Sequence, residues 1–302
     1  MNPNPYLKKL GFSDTDRVVI LHADDIGMCQ AGLAAYAEIV EFGVLSSAAV
    51  MAPCPWFPAT AVLYHSLRAN RPNLDMGVHV TLTSEWANYR WGPISTRDVD
   101  SCLLDGDGYF PQTTAVVQAN GRAAAVLAEM EAQLQRALAA GIDVTHLDSH
   151  MGTVFHAQFM PLYIELAQRY RIPALAFRWS AHELQAWGMD EATAVAFANW
   201  SQNLEASGFP LLDSLYMMPL HTHENRLEIA RQWLNDLKPG IHYFLIHPAQ
   251  DTPELRALAP DWRARVADYQ LFISEAWRQT VAESGVRVIG WREIREIMRL
   301  GD

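Results

Sequence analysis

The 302-residue sequence has little cysteine, a deficit of positive charge and no long apolar run. Cys29, Cys54 and Cys102 are odd in number and show no CxxC spacing, so no disulfide framework is expected and a reducing compartment, the cytoplasm, is. Lys and Arg total 23 against 34 Asp and Glu, a formal charge of −11, which disfavours phosphate backbones and anionic membranes as partners. No stretch approaches the roughly 18 uninterrupted apolar residues of a membrane helix. The opening residues MNPNPYLKKLGFSDTDR contain no apolar signal core, so neither anchoring nor export is expected. Repeats, low-complexity tracts and Gly/Ser linkers are also missing, so one domain over residues 1–302 is the expectation.

What remains is an ordinary globular composition, 50% hydrophobic and 19% charged. Short β-branched apolar runs alternate with long amphipathic stretches, the rhythm of a parallel sheet with crossover helices. The runs are Val18–Leu21, Ser47–Met51, Met76–Val80, Val144–Leu147, Ala174–Phe177, Leu215–Met218, Tyr243–Ile246 and Val286–Ile289. Helical spacing of Val126, Leu127, Met130, Leu134 and Leu138 predicts a helix over Arg122–Ala140 that stops at Gly141. A second helix is expected over Ala31–Glu41 with its stop at Gly43, and Ser180 and Glu183 have capping-box spacing. Residues Thr83 to Asp107 read as an elaborated loop. Seven or eight parallel strands at this length suit a single-domain (β/α) barrel, regular or distorted, better than an open doubly wound sheet.

The polar residues follow the strands. Val18–Leu21 runs into His22-Ala23-Asp24-Asp25, and Met76–Val78 into His79. The Val144 run carries His146, Asp148 and His150; the Ala174 run ends at Arg178, and the Tyr243 run at His247. In a parallel sheet those C-terminal ends share one face, so distant residues converge. Adjacent carboxylates at a buried strand end raise each other's pKa unless a cation neutralises one. Two imidazoles and a carboxylate suit a catalytic divalent metal such as zinc, with a position left open for water. One Asp of the pair can then ligate while the other takes a proton from that water. Histidines 65, 156, 182, 221, 223 and 242 lack this setting and are read as surface or structural, and Cys29 is given no role.

These motifs resemble the YdjC-like carbohydrate deacetylases, the ChbG/HpnK family. His22-Ala23-Asp24-Asp25-Ile26-Gly27 is similar to the family's N-A-D-D-F-G, and Gly77-Val78-His79-Val80-Thr81-Leu82 to its G-x-H-x-x-L. His146-Leu147-Asp148-Ser149-His150 resembles H-x-D-S-H, and His247-Pro248 the late H-P motif. The resemblance implies a distorted (β/α) barrel and one divalent metal, zinc first, with magnesium, manganese, cobalt or nickel as alternatives. It makes Asp25, His79 and His150 the ligands, Asp24 the general base and His247 the general acid, with His146 as the fallback third ligand. Asp213 falls where the family often has an Asp before a strand. The expected substrate is a small N-acetylated sugar.

Two departures bear on the pocket. His22 replaces the usual Asn, and Gly152 and Val154 replace the trailing histidines of H-x-D-S-H-x-H-x-H. Trp86 and Trp91 either stack on sugar faces or pack their loop onto the barrel. Arg178 either binds a substrate oxygen or pairs with a site carboxylate, and Trp291 and Arg292 are expected at the rim. Competing readings are hydrolysis of a non-sugar acyl amide or an O-acetyl ester, and a barrel that binds sugar or metal without catalysis. A homo-oligomer is expected only from the general frequency of symmetric dimers.

Overall fold

The computed structural model describes residues 2–186 and 188–300. Its centre is strand β1, Arg17–Ile26, whose Val18-Val19-Ile20-Leu21 run is wholly buried, as a parallel strand covered on both faces requires. The other strands are β2 (Ser47–Val50), β3 (Gly77–Val80), β4 (Leu147–Ser149), β5 (Ser214–Met217), β6 (Gly240–Ile246) and β7 (Arg287–Val288). All pairings are parallel, in the order β4-β3-β2-β1-β6-β5, and β7 pairs with the start of β1. Helices connect the strands around the outside, as parallel crossovers demand.

The sheet curls into a distorted barrel, because two isolated parallel bridges continue it beyond β4. Leu147 pairs with Ala174, and Phe177 pairs with Leu212 just ahead of β5. The Ala174–Phe177 run therefore sits where a strand was expected, yet it makes single bridges in place of a ladder. The Val144–Leu147 run is displaced in a similar way: β4 begins at Leu147, although Thr145 N donates to Met76 O and Val78 N to His146 O.

The expected helices form over Gln30–Phe42 and Ala123–Ala139, the first ending on Gly43 at φ 86°. Ser180 and Glu183 make the reciprocal capping box, with Glu183 N donating to Ser180 Oγ at 3.2 Å and Ser180 N to Glu183 Oε2 at 3.0 Å. No helix of the described residues is long and apolar enough to cross a membrane.

Register sets the height of each strand end. Ala23 pairs with Ala48 on one side and Ile246 on the other, so Asp24 and His247 emerge at one level. His79 pairs with Asp148. Gly77 admits this packing, since a Cβ there would lie 2.4 Å from the His146 ring.

Candidate active site

The strand ends deliver Asp24, Asp25, His79, Asp148, His150 and His247 to one buried centre. Asp25 leaves the extended conformation, with φ 62°, a region Asp tolerates better than most residues. Consecutive carboxylates therefore point apart. Asp25 Oδ2 accepts from Arg265 Nη1 at 2.7 Å, while Oδ1 stands 3.2 Å from His150 Nδ1 and 3.5 Å from His79 Nε2. Neither imidazole is aligned as a hydrogen bond to Oδ1, which is buried and without a hydrogen-bond partner.

This trio fits a metal. Two donors about 2.0–2.2 Å from a shared cation, at tetrahedral or octahedral angles, stand about 3–3.5 Å apart, which matches both spacings around Oδ1. The far nitrogen of His150, Nε2, lies 3.0 Å from Glu85 Oε2. A carboxylate behind a ligating imidazole is the usual way such a ring is oriented.

Asp24 faces the other way. Its Oδ1 is 3.0 Å from His22 Nε2 and 3.5 Å from His79 Nδ1, and its Oδ2 is 3.9 Å from His247 Nε2. Burial raises the Asp24 carboxyl, with only partial relief from the His79 and His247 rings. Burial pushes Asp25 the same way, but the Arg265 guanidinium, helped by His150 and His79, holds it well below the usual carboxylate range. The pair is thus split into one carboxylate fixed as an anion and one disposed to take a proton. Burial lowers His247, whose backbone N–H donates to Asp268 Oδ2 at 3.1 Å.

His146 stands apart from the trio. Its Nδ1 lies 3.0 Å from Thr145 Oγ1 and its ring stacks on Trp291 at 5.0 Å. It clusters with His22 and Asp148, whereas His150 is the histidine beside Asp25 and His79. His22 is not a pocket wall either. It lies fully buried behind Asp24, its Nδ1 2.9 Å from Ser47 Oγ, which donates in turn to Asp75 Oδ1 at 2.8 Å.

The centre opens into a cavity of about 750 Å³ that Trp86 and Gly152 help to line, while Val154 is buried behind it. Trp91 packs its loop, donating from Nε1 to Thr83 O at 2.8 Å and meeting the Trp86 ring edge-on at 6.1 Å.

Arg178 and Asp213 are not brought to this cavity. They pair with each other at 2.8 Å, Arg178 also holds Glu205 at 2.6 Å, and Asp213 caps Ile241 N at the start of β6. Trp291 and Arg292 are likewise not at the rim. Trp291 is fully buried, and Arg292 binds Asp143 and the Leu74 carbonyl, both ahead of strands β3 and β4. In each case neighbouring segments hold the side chain away from the cavity.

Glu85 and Arg265 are the contributors that the sequence reading missed. Glu85 was visible as the acid directly before the Trp86, Tyr89 and Trp91 aromatics; Arg265 lies within the helix Trp262–Phe272, with no motif around it.

The family model described as YdjC-like protein matches residues 18–283. The chain belongs to the YdjC-like family. A Thermus thermophilus relative named carbohydrate deacetylase is 32% identical over 295 residues, covering 97% of this chain and 98% of that protein. A Thermoanaerobacter pseudethanolicus relative of the same name is 27% identical over 157 residues, 52% of this chain and 59% of that protein. A crystal structure from Enterococcus faecalis, named for cellobiose-phosphate cleavage, superposes with a TM-score of 0.75 at 20% identity, covering 93% of this chain and 99% of that one. At that identity the likeness concerns the fold. This YdjC-like chain thus shares its barrel with a solved neighbour and nearly its whole length with a named deacetylase.

Proposed function

We propose that this chain is a metal-dependent carbohydrate deacetylase that hydrolyses the acetyl amide of an aminosugar. The observation that carries the reading is the split Asp pair: Asp25 Oδ1 buried without a hydrogen-bond partner beside two imidazole nitrogens, and Asp24 next to it with a raised pKa. The name of the near full-length relative agrees with it.

Asp25, His79 and His150 would hold one divalent ion, for which zinc is the first candidate; cobalt, manganese, nickel and magnesium are compatible with the same donors. Such an ion supplies Lewis-acid polarisation of the acyl carbonyl and acidifies the attacking water. Asp24 takes the proton that water loses as it adds to the carbonyl carbon. That proton passes from Asp24 to His247, whose Nε2 lies 3.9 Å from Asp24 Oδ2, and His247 delivers it to the departing nitrogen as the C–N bond breaks, so acetate and the free amine result. Arg265 keeps Asp25 ionised and turned, and Glu85 fixes the ring of His150.

The test is acetate release from N-acetylated and O-acetylated mono- and oligosaccharides by protein stripped of metal and then resupplied with zinc. Zinc-dependent release from the amides is expected. Tight zinc binding with no release from any member would overturn the reading.

A further inference from the structure

Behind the Asp25 trio lies a second group of donors. His22 Nε2 stands 3.0 Å from Asp24 Oδ1 and 3.5 Å from Asp148 Oδ2. His79 Nδ1 stands 3.5 Å from Asp24 Oδ1 and 3.9 Å from Asp148 Oδ1. His22 Nε2, Asp24 Oδ1 and His79 Nδ1 are all buried without a hydrogen-bond partner. The cation beside the centre, Arg265, is committed to Asp25 and Asp261. Two buried carboxylates, Asp24 and Asp148, therefore lack a fixed countercharge, which is costly in the interior.

The His22 ring is set up as a ligand. Ser47 Oγ donates to Asp75 Oδ1 at 2.8 Å, so toward His22 Nδ1, at 2.9 Å, it acts as acceptor, which puts the ring proton on Nδ1. Asp75 is itself held by Thr145 Oγ1 and by Arg292 N, each at 2.7 Å. A histidine whose far nitrogen donates into such a chain is the usual arrangement behind a metal-bound imidazole. Nε2 then keeps its lone pair on the side of Asp24 and Asp148. A lone pair 3.0 Å from a carboxylate oxygen is repulsive unless a proton or a cation lies between, and the contact is not aligned as a hydrogen bond. The 3.0 and 3.5 Å spacings around Nε2 are those of donors sharing one ion. The family motif has Asn at this position, so the imidazole is an addition of this chain. Asp24 and Asp148 line the cavity, which gives an ion a way in.

We propose that His22, Asp24 and Asp148 hold a second divalent cation, and that this ion inhibits the enzyme. His79 separates the two ions, with Nε2 toward Asp25 and Nδ1 toward Asp24. The site stands on its own geometry. Its inhibitory role rests on the deacetylase reading, because an ion on Asp24 Oδ1 competes with the proton that this carboxylate accepts.

The test titrates zinc into the metal-free full chain by calorimetry and follows turnover of the best acetylated sugar amide over the same range. Two binding events are expected. Turnover should rise to about one equivalent and fall by at least about 100-fold as the second site fills, the scale of a lost general base. His22→Asn, which restores the family's residue, should keep the first event and lose both the second event and the fall in turnover. Ser47→Ala, one step behind the ligand, should weaken the second event about 10–100-fold and leave the first unchanged. A single event in the parent, or two events at parental affinity in both variants, would overturn the site. A second ion that fills without loss of turnover would remove its inhibitory role. The two readings fail separately. Two events with no hydrolysis of any acetylated sugar remove the deacetylase and leave the site, whereas hydrolysis with one event removes the site and leaves the deacetylase.

Discussion

Arg265 donates from Nη1 to Asp25 Oδ2 at 2.7 Å, joining residues 240 positions apart in the chain. The same guanidinium holds Asp261 through Nε at 2.9 Å and lies over the Trp86 ring at 5.4 Å. A single helix residue thus fixes which oxygen of Asp25 faces the histidines.

Arg265→Ala should leave Asp25 as a buried carboxylate without its cation. Removing one partner of a buried pair costs about 3–5 kcal/mol, so denaturant unfolding of metal-free protein should show a loss of that order. Zinc affinity by calorimetry should fall about 10–100-fold. Arg265→Lys is not expected to restore either, because one ammonium cannot serve Asp25, Asp261 and the indole face together. Unchanged zinc affinity in the Ala variant would remove Asp25 from the ligand set.

Glu85→Gln keeps the shape of the His150 contact and removes its charge. Burial alone would lower His150, yet Glu85 and Asp25 push its pKa up to about 10. With Glu85 neutral, His150 should titrate lower by NMR in metal-free protein. Zinc should also bind about 10–100-fold more weakly, because the ring loses its anionic support. A variant with native affinity would mean that His150 is oriented by something else.

Asp24→Asn and His247→Ala separate the proposed base from the proposed acid. Asp24→Asn should retain zinc while kcat falls about 10²–10⁴-fold. His247→Ala should slow amides more than activated esters, whose leaving groups need less protonation. Equal losses on both substrates would take the acid role from His247.

Gly77→Ala would set a methyl 2.4 Å from the His146 ring, which is pinned against Trp291. Overpacking of this kind costs about 1–3 kcal/mol, and thermal unfolding should register it without loss of zinc binding to the Asp25 trio. Parental stability would show that the ring yields freely.

Asp143 ties the last helix to the barrel, receiving Arg292 and Arg295 at 2.6 Å each. Burial opposes ionisation, but Arg295 and Arg292 hold the carboxyl well below its ordinary value of 3.8. A lowered folded pKa means that the stabilisation is present in full above about pH 4 and is lost as pH falls through the folded value. Asp143→Asn should therefore destabilise by about 1–2 kcal/mol at neutral pH, and the gap to the parent should close in acid. A gap that stays constant down to about pH 2 would refute the charge account.

Each of the eight apolar runs lies at a strand or bridge; the central strands β1, β2, β3 and β6 were the most legible, because a parallel strand buried on both faces needs an unbroken apolar run. The motif residues were legible for a related reason. A parallel sheet carries all its C-terminal ends to one face, so Asp24, Asp25, His79, His150 and His247 had to meet if those runs were strands.

Side-chain direction was decided only by the tertiary structure. Arg178 and Asp213 border strands just as the site residues do, yet Arg178 closes on Asp213 and Glu205, away from the cavity. His22 lies in the motif but serves behind Asp24, and His146 turns to Thr145 and Trp291 while His150 turns to Asp25. Arg265 and Glu85 arrive from a helix and a loop that no periodicity ties to the strand ends. The sequence by itself determined which backbone ends converge, because burial of apolar runs is a local pattern. Packing between segments far apart in the chain decided which polar atoms face each other.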